Sequence, residues 1–391
     1  MTPAARLQAA IEILDEVIES ARSDGPPADA IVSRYFKSRR YAGSKDRRAV
    51  RELVFRAIRR SAERPETGRA AVLGLANDDT ELASLFGEPR GPEPRIEGEE
   101  AAAADLVPQW LGSELSSLVS SAEWPALLER APVDLRVNAA RTSRAKVLVE
   151  FPGGTPTSNS PWGIRLPPDT RVDDHPAYQQ GLFEVQDEGS QLIVIACEPH
   201  GGEQVLDLCA GAGGKSLALA AAAPGAKLLA TDTNRARLSK LPARAERGQA
   251  EIEIRLLNPP NEAAELSDWH AGADLVLVDA PCSGSGTWRR NPEGRWRLTP
   301  DRLERVIALQ QRLLDIGAQL VKPGGRLVYA VCSLLSREGA GQIDRFLESH
   351  SSWISEQPAI GAGRCDGRGR LLTPGHDGTD GFFVARLARP C

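Results

Sequence analysis

The six cysteines of this 391-residue chain include no C-x-x-C pair, and its five histidines no H-x-x-x-H. Those absences exclude a disulfide framework and a zinc site on spacing, and leave any cysteine chemistry to free thiols. No apolar run approaches the roughly 18 residues that span a bilayer. The opening "MTPAARLQAAIEILDEVIES" lacks the basic, apolar and small-residue order of a signal peptide. A cytoplasmic, monomeric protein with no membrane and no metal partner is expected. A formal net charge of −5 argues against a protein that coats nucleic acid indiscriminately.

The charge is uneven, however. Between Arg34 and Arg60 there are eleven Lys or Arg against Asp46 and Glu52, interleaved with Tyr35, Phe36, Tyr41 and Phe55. Val50, Leu53, Val54, Ala57 and Ile58 recur at helical spacing, so one face can pack while arginines face solvent, either as a solvated surface or as phosphate contacts. The stretch Gly87 to Ala104, "GEPRGPEPRIEGEEAAAA", reads as a linker. Beyond it "DLRVN", "KVLVEF" and "WGIRL" predict short strands of a small α+β module. From Val205 onward, "QVLDL", "KLLATD", "IEIRLL", "DLVLVDAP" and "RLVYAVCS" alternate with helical segments. That alternation predicts a doubly wound parallel sheet whose ligands sit beyond the carboxyl ends of its strands. Pro242 is expected to kink or shorten the helix after the second of these strands.

The first of those strands runs into the glycine-rich turn "DLCAGAGGKSLALA". With Gly211 and Gly213 as its first glycines, a dinucleotide fingerprint would need a third at Ser216, and a P-loop ending at Gly214-Lys215-Ser216 would need its first at Cys209. Both matches fail. What remains is a turn of small residues and an acid, Asp232, at the end of the second strand, able to accept the hydroxyls of a ribose. A nucleoside without a pyrophosphate fits, and S-adenosylmethionine is the common cofactor of that kind.

Two cysteines end neighbouring strands of the same sheet, Cys282 in "DAPCS" and Cys332 in "YAVCS". An isolated cysteine there is a small packing residue. A pair at one rim has a chemical use, because C5 of cytosine is a poor nucleophile until a thiolate adds to C6. One cysteine would attack, and a second group would serve proton removal or release. Asp279 could hold the cytosine at N3 and the exocyclic amine, and Lys215 could support the charge redistribution.

The segments "VQDEGSQL", "LDLCAGAGGKS", "VDAPCSGSGTWRRNPEGRW", "KPGGRLVYAVCSLLSREG" and "DGFFVARL" closely resemble the RNA 5-methylcytosine methyltransferase family over residues 105 to 391. Within it the chain resembles the bacterial small-subunit ribosomal RNA type, whose appended NusB-like RNA-binding domain is similar to "YAGSKDRRAVRELVFRAIRR". The resemblance implies a Rossmann-like class I methyltransferase domain over 181–391, preceded by an all-α NusB-like domain over 1–86, a linker over 87–104 and an α+β module over 105–180. It implies Cys332 as nucleophile and Cys282 as the residue for product release. It places Cys209, Ala210, Gly211, Ala212, Gly213, Gly214, Lys215 and Asp232 at S-adenosylmethionine, and Asp279 between cofactor and cytosine. Asn258 stands where the family usually has an acid near the adenine, which removes a charge from that contact. Ribosomal RNA is the expected partner, contacted by Arg47, Arg48, Arg51, Arg59, Arg289 and Arg290. The same chemistry on transfer RNA, and a non-catalytic RNA-binding assembly factor, are the alternatives.

Overall fold

A computed structural model describes residues 1–23, 25–168 and 170–391. The chain divides into two compact units, one of residues 1–115, 124–129 and 287–300, the other of residues 116–123, 130–286 and 301–391.

The first unit is built on helices α1 (Pro3–Arg22), α2 (Ala28–Lys37), α3 (Ser44–Arg60) and α4 (Gly68–Asp78). Thr2 caps α1 by accepting from Ala5 N, and Thr67 caps α4 by accepting from Ala70 N. Leu7, Ile11, Leu14 and Ile18 of α1 meet Val50, Val54 and Ile58 of α3 and Val72 and Leu75 of α4 in one core. A side chain at Gly68 would meet the Ile11 carbonyl oxygen at 2.3 Å, so α4 can start against the backbone of α1 only with glycine there.

Residues 287–300 complete this unit. Trp296 lies in its core and donates from Nε1 to the Ser61 carbonyl at 2.9 Å. Arg295 donates to the Ile58 and Leu106 carbonyls at 2.5 and 2.8 Å, and Glu293 accepts from Ala28 N at 3.0 Å. These bonds satisfy a carbonyl in the last turn of α3 and the first amide of α2, groups that a helix leaves without internal partners. Residues 87–104 contain no helix or strand; Ala102 N donates to Ala70 O, and Glu99 pairs with Arg69.

The second unit carries two sheets. Strands β1 (Val133–Val137), β2 (Thr155–Pro156), β3 (Gly163–Leu166) and β4 (Phe183–Val185) form a small antiparallel sheet in the order β2-β3-β1-β4. "KVLVEF" is no part of it, contrary to the expectation from its β-branched residues. Arg144–Val149 is a helix, because Ser143 caps it by accepting from Lys146 N and Val147 supplies its buried contact while Val149 stays exposed.

The larger sheet contains β5 (Gln204–Asp207), β6 (Lys227–Asp232), β7 (Glu253–Leu256), β8 (Ala273–Asp279), β9 (Val321–Val331), β10 (Ile354–Glu356), β11 (Arg364–Asp366), β12 (Gly369–Leu372) and β13 (Phe382–Ala388). Its order is β11-β12-β13-β9-β8-β5-β6-β7, with β10 beside β13. Strands β5 to β9 are mutually parallel and β13 runs antiparallel to β9. Val276, Leu277 and Val278 of β8 and Val328, Tyr329 and Ala330 of β9 are wholly buried, as a parallel strand covered on both faces requires. Pro242 acts as expected: two short helices, Arg235–Leu238 and Leu241–Gly248, follow β6, with Pro242 in the first turn of the second.

Candidate active site

Parallel pairing brings the carboxyl ends of four strands to one rim. Asp207 is in register with Leu277, and Asp279 with Ala330. The residues just past those ends therefore converge, whatever their separation in sequence.

The glycine-rich turn leaves β5 and opens the helix Gly214–Ala222. Gly211 and Gly213 have φ of +57° and +82°, and a side chain on Gly213 would strike Leu241. Ala210 N donates to Thr231 O and Ala212 O accepts from Arg244, which fasten the turn to its surroundings. Cys209 is half-buried, and burial, then the nearby carboxylates, push its thiol well above the usual range. Asp232 is 8% exposed and accepts from Gly211 N at 2.7 Å on one oxygen and from Asn234 N at 2.6 Å on the other. Each oxygen keeps a further lone pair, the acceptor capacity a ribose diol needs. The donor set thus fits a nucleoside cofactor.

Asn258 follows β7 on an exposed loop, and Glu265 holds it twice, accepting from the Asn258 backbone N at 2.8 Å and from Nδ2 at 3.0 Å. Binding Nδ2 fixes which end of the amide remains available as acceptor. A carboxylate therefore does stand beside this position, supplied by a residue that inspection of the strand end alone passes over.

Lys215 Nζ lies 2.7 Å from Asp279 Oδ2. Burial works against the ammonium, but the charge and hydrogen bond of Asp279 outweigh it and lift Lys215 above its ordinary value, so it stays charged at neutral pH. Beneath them Asp207 is fully buried, takes a hydrogen bond from Ser216 Oγ at 2.6 Å, and is pushed up to about 7, chiefly by burial.

The two cysteines meet. Cys282 Sγ and Cys332 Sγ are 3.3 Å apart and both half-buried. The hydrogen bond with Cys332, then burial, hold the Cys282 thiol well above its usual range. Sequence reasoning brought these four residues to one rim but missed the polar layer behind the thiols, formed by Ser283, Ser285, Ser333, Gln310 and Glu338. A signal existed, since each of the two cysteines is followed directly by serine.

The candidate RNA contacts fall in the helical unit. Arg51 pairs with Asp29 at 2.8 Å, Arg47 donates to Ala42 O and Arg59 to Leu128 O, while Arg48 is exposed. Arg289 is buried and Arg290 half-buried in the 287–300 segment. Among the described residues no helix is long and apolar enough to cross a membrane, and no group of side chains is arranged to hold a metal.

The family described as 16S rRNA methyltransferase RsmB/F matches residues 194–388. Ribosomal RNA small subunit methyltransferase B of Erwinia tasmaniensis is 35% identical over 292 residues, a stretch covering 73% of this chain and 66% of that relative. Its namesake in Xanthomonas campestris pv. campestris is 33% identical over 308 residues, 75% of this chain and 69% of the relative. The match thus spans about two thirds of the length of these relatives. The crystal structure of PH0851 shares the fold over 99% of both chains, with a TM-score of 0.76 at 22% identity. Sharing 33% of its residues with a relative over 75% of its own length, this chain belongs to the RsmB/F family of 16S rRNA methyltransferases.

Proposed function

We propose that the chain transfers a methyl group from S-adenosylmethionine to C5 of a cytosine in RNA, with small-subunit ribosomal RNA, the substrate in its relatives' names, as the substrate class. The observation that carries this reading is the pair of thiols 3.3 Å apart, at the rim where Lys215 and Asp279 are paired. A methyltransferase acting on an already nucleophilic oxygen or nitrogen has no use for that pair.

The cofactor, when bound, supplies an electrophilic methyl group. Asp232 and the turn from Cys209 to Lys215 would hold it, with Asn258 beside the adenine. The Cys332 thiolate forms a bond to C6 of the cytosine, which turns C5 into an enamine-like carbon able to take the methyl group. Asp279 positions the base by accepting from its exocyclic amine, and the Lys215 ammonium stabilises the electron density pushed into the ring. The C5 proton then passes to solvent water, its bonding pair re-forms the C5–C6 double bond, the C6–S bond breaks, and the sulfur of Cys332 leaves as thiolate. Cys282, in contact with that sulfur, serves this release.

Support for RNA as substrate comes from the family and from the helical unit, where Arg40, Lys45 and Arg48 are exposed beside Tyr41. Bisulfite sequencing of ribosomal and transfer RNA from cells with and without the gene tests the whole reading. A ribosomal cytosine that loses its methyl mark in the deletion supports it. Identical marks in both strains would overturn it, and a lost mark confined to transfer RNA would move the substrate class.

A further inference from the structure

Behind the two thiols lies a charged group that the proposed chemistry does not use. Glu338 is wholly buried, and among the described residues no Lys, Arg or His lies within ion-pairing distance of it. Its Oε1 accepts from Ser283 N and from Gln310 Nε2, each at 2.8 Å, and its Oε2 accepts from Ser333 Oγ at 2.5 Å. Ser283 and Ser333 are the residues directly after Cys282 and Cys332.

We propose that Glu338 is the positioning residue of the two-thiol site, its carboxylate fastening the loop that carries Cys282 to the loop that carries Cys332. This rests on the reading of both as reacting thiols. The tether has further strands. Ser283 Oγ and Ser285 Oγ lie 3.2 and 3.1 Å from Ser333 Oγ, Leu334 N donates to Ser285 Oγ, and Gly286 N donates to the Cys332 carbonyl at 3.0 Å. Gln310, which also donates to Pro281 O, is held in turn by Gln342. Both cysteine loops thus bond to one carboxylate, which together with these direct contacts holds the two sulfurs side by side.

The charge has its own role. A buried carboxylate without a cation loses much solvation, and a neutral glutamine of the same shape would accept the same amide bonds without that loss. What glutamine would lack is the negative potential at Cys282. Cys332, then burial, then Glu338 act to keep the proton on Cys282 and the Gly284 amide opposes them, while nearby Tyr329 donates from its hydroxyl to the Glu338 backbone carbonyl. The Sγ to Sγ contact then acquires a direction, with the Cys282 S–H donating and the Cys332 sulfur accepting. That is the polarity a nucleophile at Cys332 and a proton-bearing partner at Cys282 require.

The test is residue-resolved alkylation of the full chain by iodoacetamide across pH, read by mass spectrometry, alongside single-turnover methylation and melting temperature. Glu338→Gln should lower the alkylation midpoint of Cys282 by about one pH unit, slow methylation about tenfold or more, and leave melting within a few degrees. Glu338→Asp keeps the charge and shortens the arm, so the Cys282 midpoint should stay high while methylation slows. A Cys282 midpoint unmoved in Glu338→Gln, or one that falls equally in Glu338→Asp, overturns the proposal. The alkylation profile needs no RNA. An intact chain that methylates nothing would therefore refute the proposed function and still leave the role of Glu338 to be decided by its own measurement.

Discussion

Cys282 and Cys332 stand fifty positions apart in the chain and 3.3 Å apart at sulfur, each just past the end of one of two adjacent parallel strands. Two thiols so close can act on one covalent adduct in succession, yet they should fail differently when removed. Cys332→Ala should abolish methylation and any covalent RNA adduct. Cys282→Ala should methylate once and stall, leaving an RNA-linked band on denaturing electrophoresis that nuclease collapses. A packing role predicts instead two small, similar losses of stability, on the order of 1 kcal/mol, with turnover intact. A covalent band from Cys332→Ala alone would reverse the roles.

Asp232 offers a second measurement. Both its oxygens already accept backbone amides, so its position is fixed before any ligand arrives. Asp232→Ala should weaken S-adenosylmethionine by about 1.5 to 3 kcal/mol in titration calorimetry, because its charged hydrogen bonds go. Glu265→Ala, which frees the Asn258 amide, should cost less, about two- to fivefold in affinity. No heat of binding from the intact chain would refute the cofactor assignment.

The basic stretch of the helical unit separates into two classes of arginine. Arg51 is held by Asp29 and Arg59 by a backbone carbonyl, whereas Arg40, Lys45 and Arg48 are exposed and form no ion pair among the described residues. Replacing Arg40, Lys45 and Arg48 by Ala should flatten the log–log salt dependence of RNA binding by about 0.7 to 0.9 for each phosphate no longer neutralised. Replacing Arg51 and Arg59 should change it less. Equal slopes for the intact protein and the first variant would leave that helix as a solvated face.

Stability should carry the signature of Asp207. Burial holds its carboxyl near 7, and its Oδ1 has no hydrogen-bond partner among the described residues to stabilise a charge. The unfolded chain releases this proton near pH 4, so the folded state binds the extra proton between about pH 4 and 7. The stabilisation is complete below the lower value and is lost as pH rises through the upper one. Asp207→Asn should remove that slope, sparing the variant about 2 to 4 kcal/mol of the decline in the intact protein between about pH 4 and 8. Parallel melting curves against pH would show that the group does not titrate there.

The parallel sheet was legible because strands covered on both faces must be apolar along their length, and "DLVLVDAP" and "RLVYAVCS" are; the cysteines followed from strand order alone. "KVLVEF" misled because its β-branched and apolar residues say nothing of a serine cap just upstream. Glu265 and Glu338 were not legible. Each acts on a residue several positions away in the chain or on another strand, and only the folded register shows which donor a glutamate meets. "WRRNPEGRW" has a second role that its charges do not announce: Glu293 and Arg295 satisfy helix ends and Trp296 fills a core.

That last placement bears on how the protein comes off the ribosome. The four helices emerge well ahead of residues 287–300, but their core lacks Trp296, and the ends of α2 and α3 lack Glu293 and Arg295, until most of the second unit has been synthesised. The helical unit, although the first to start, is complete only once residue 300 has been added. A gene cut after residue 115 would therefore encode four helices with the tryptophan's place in their core unfilled.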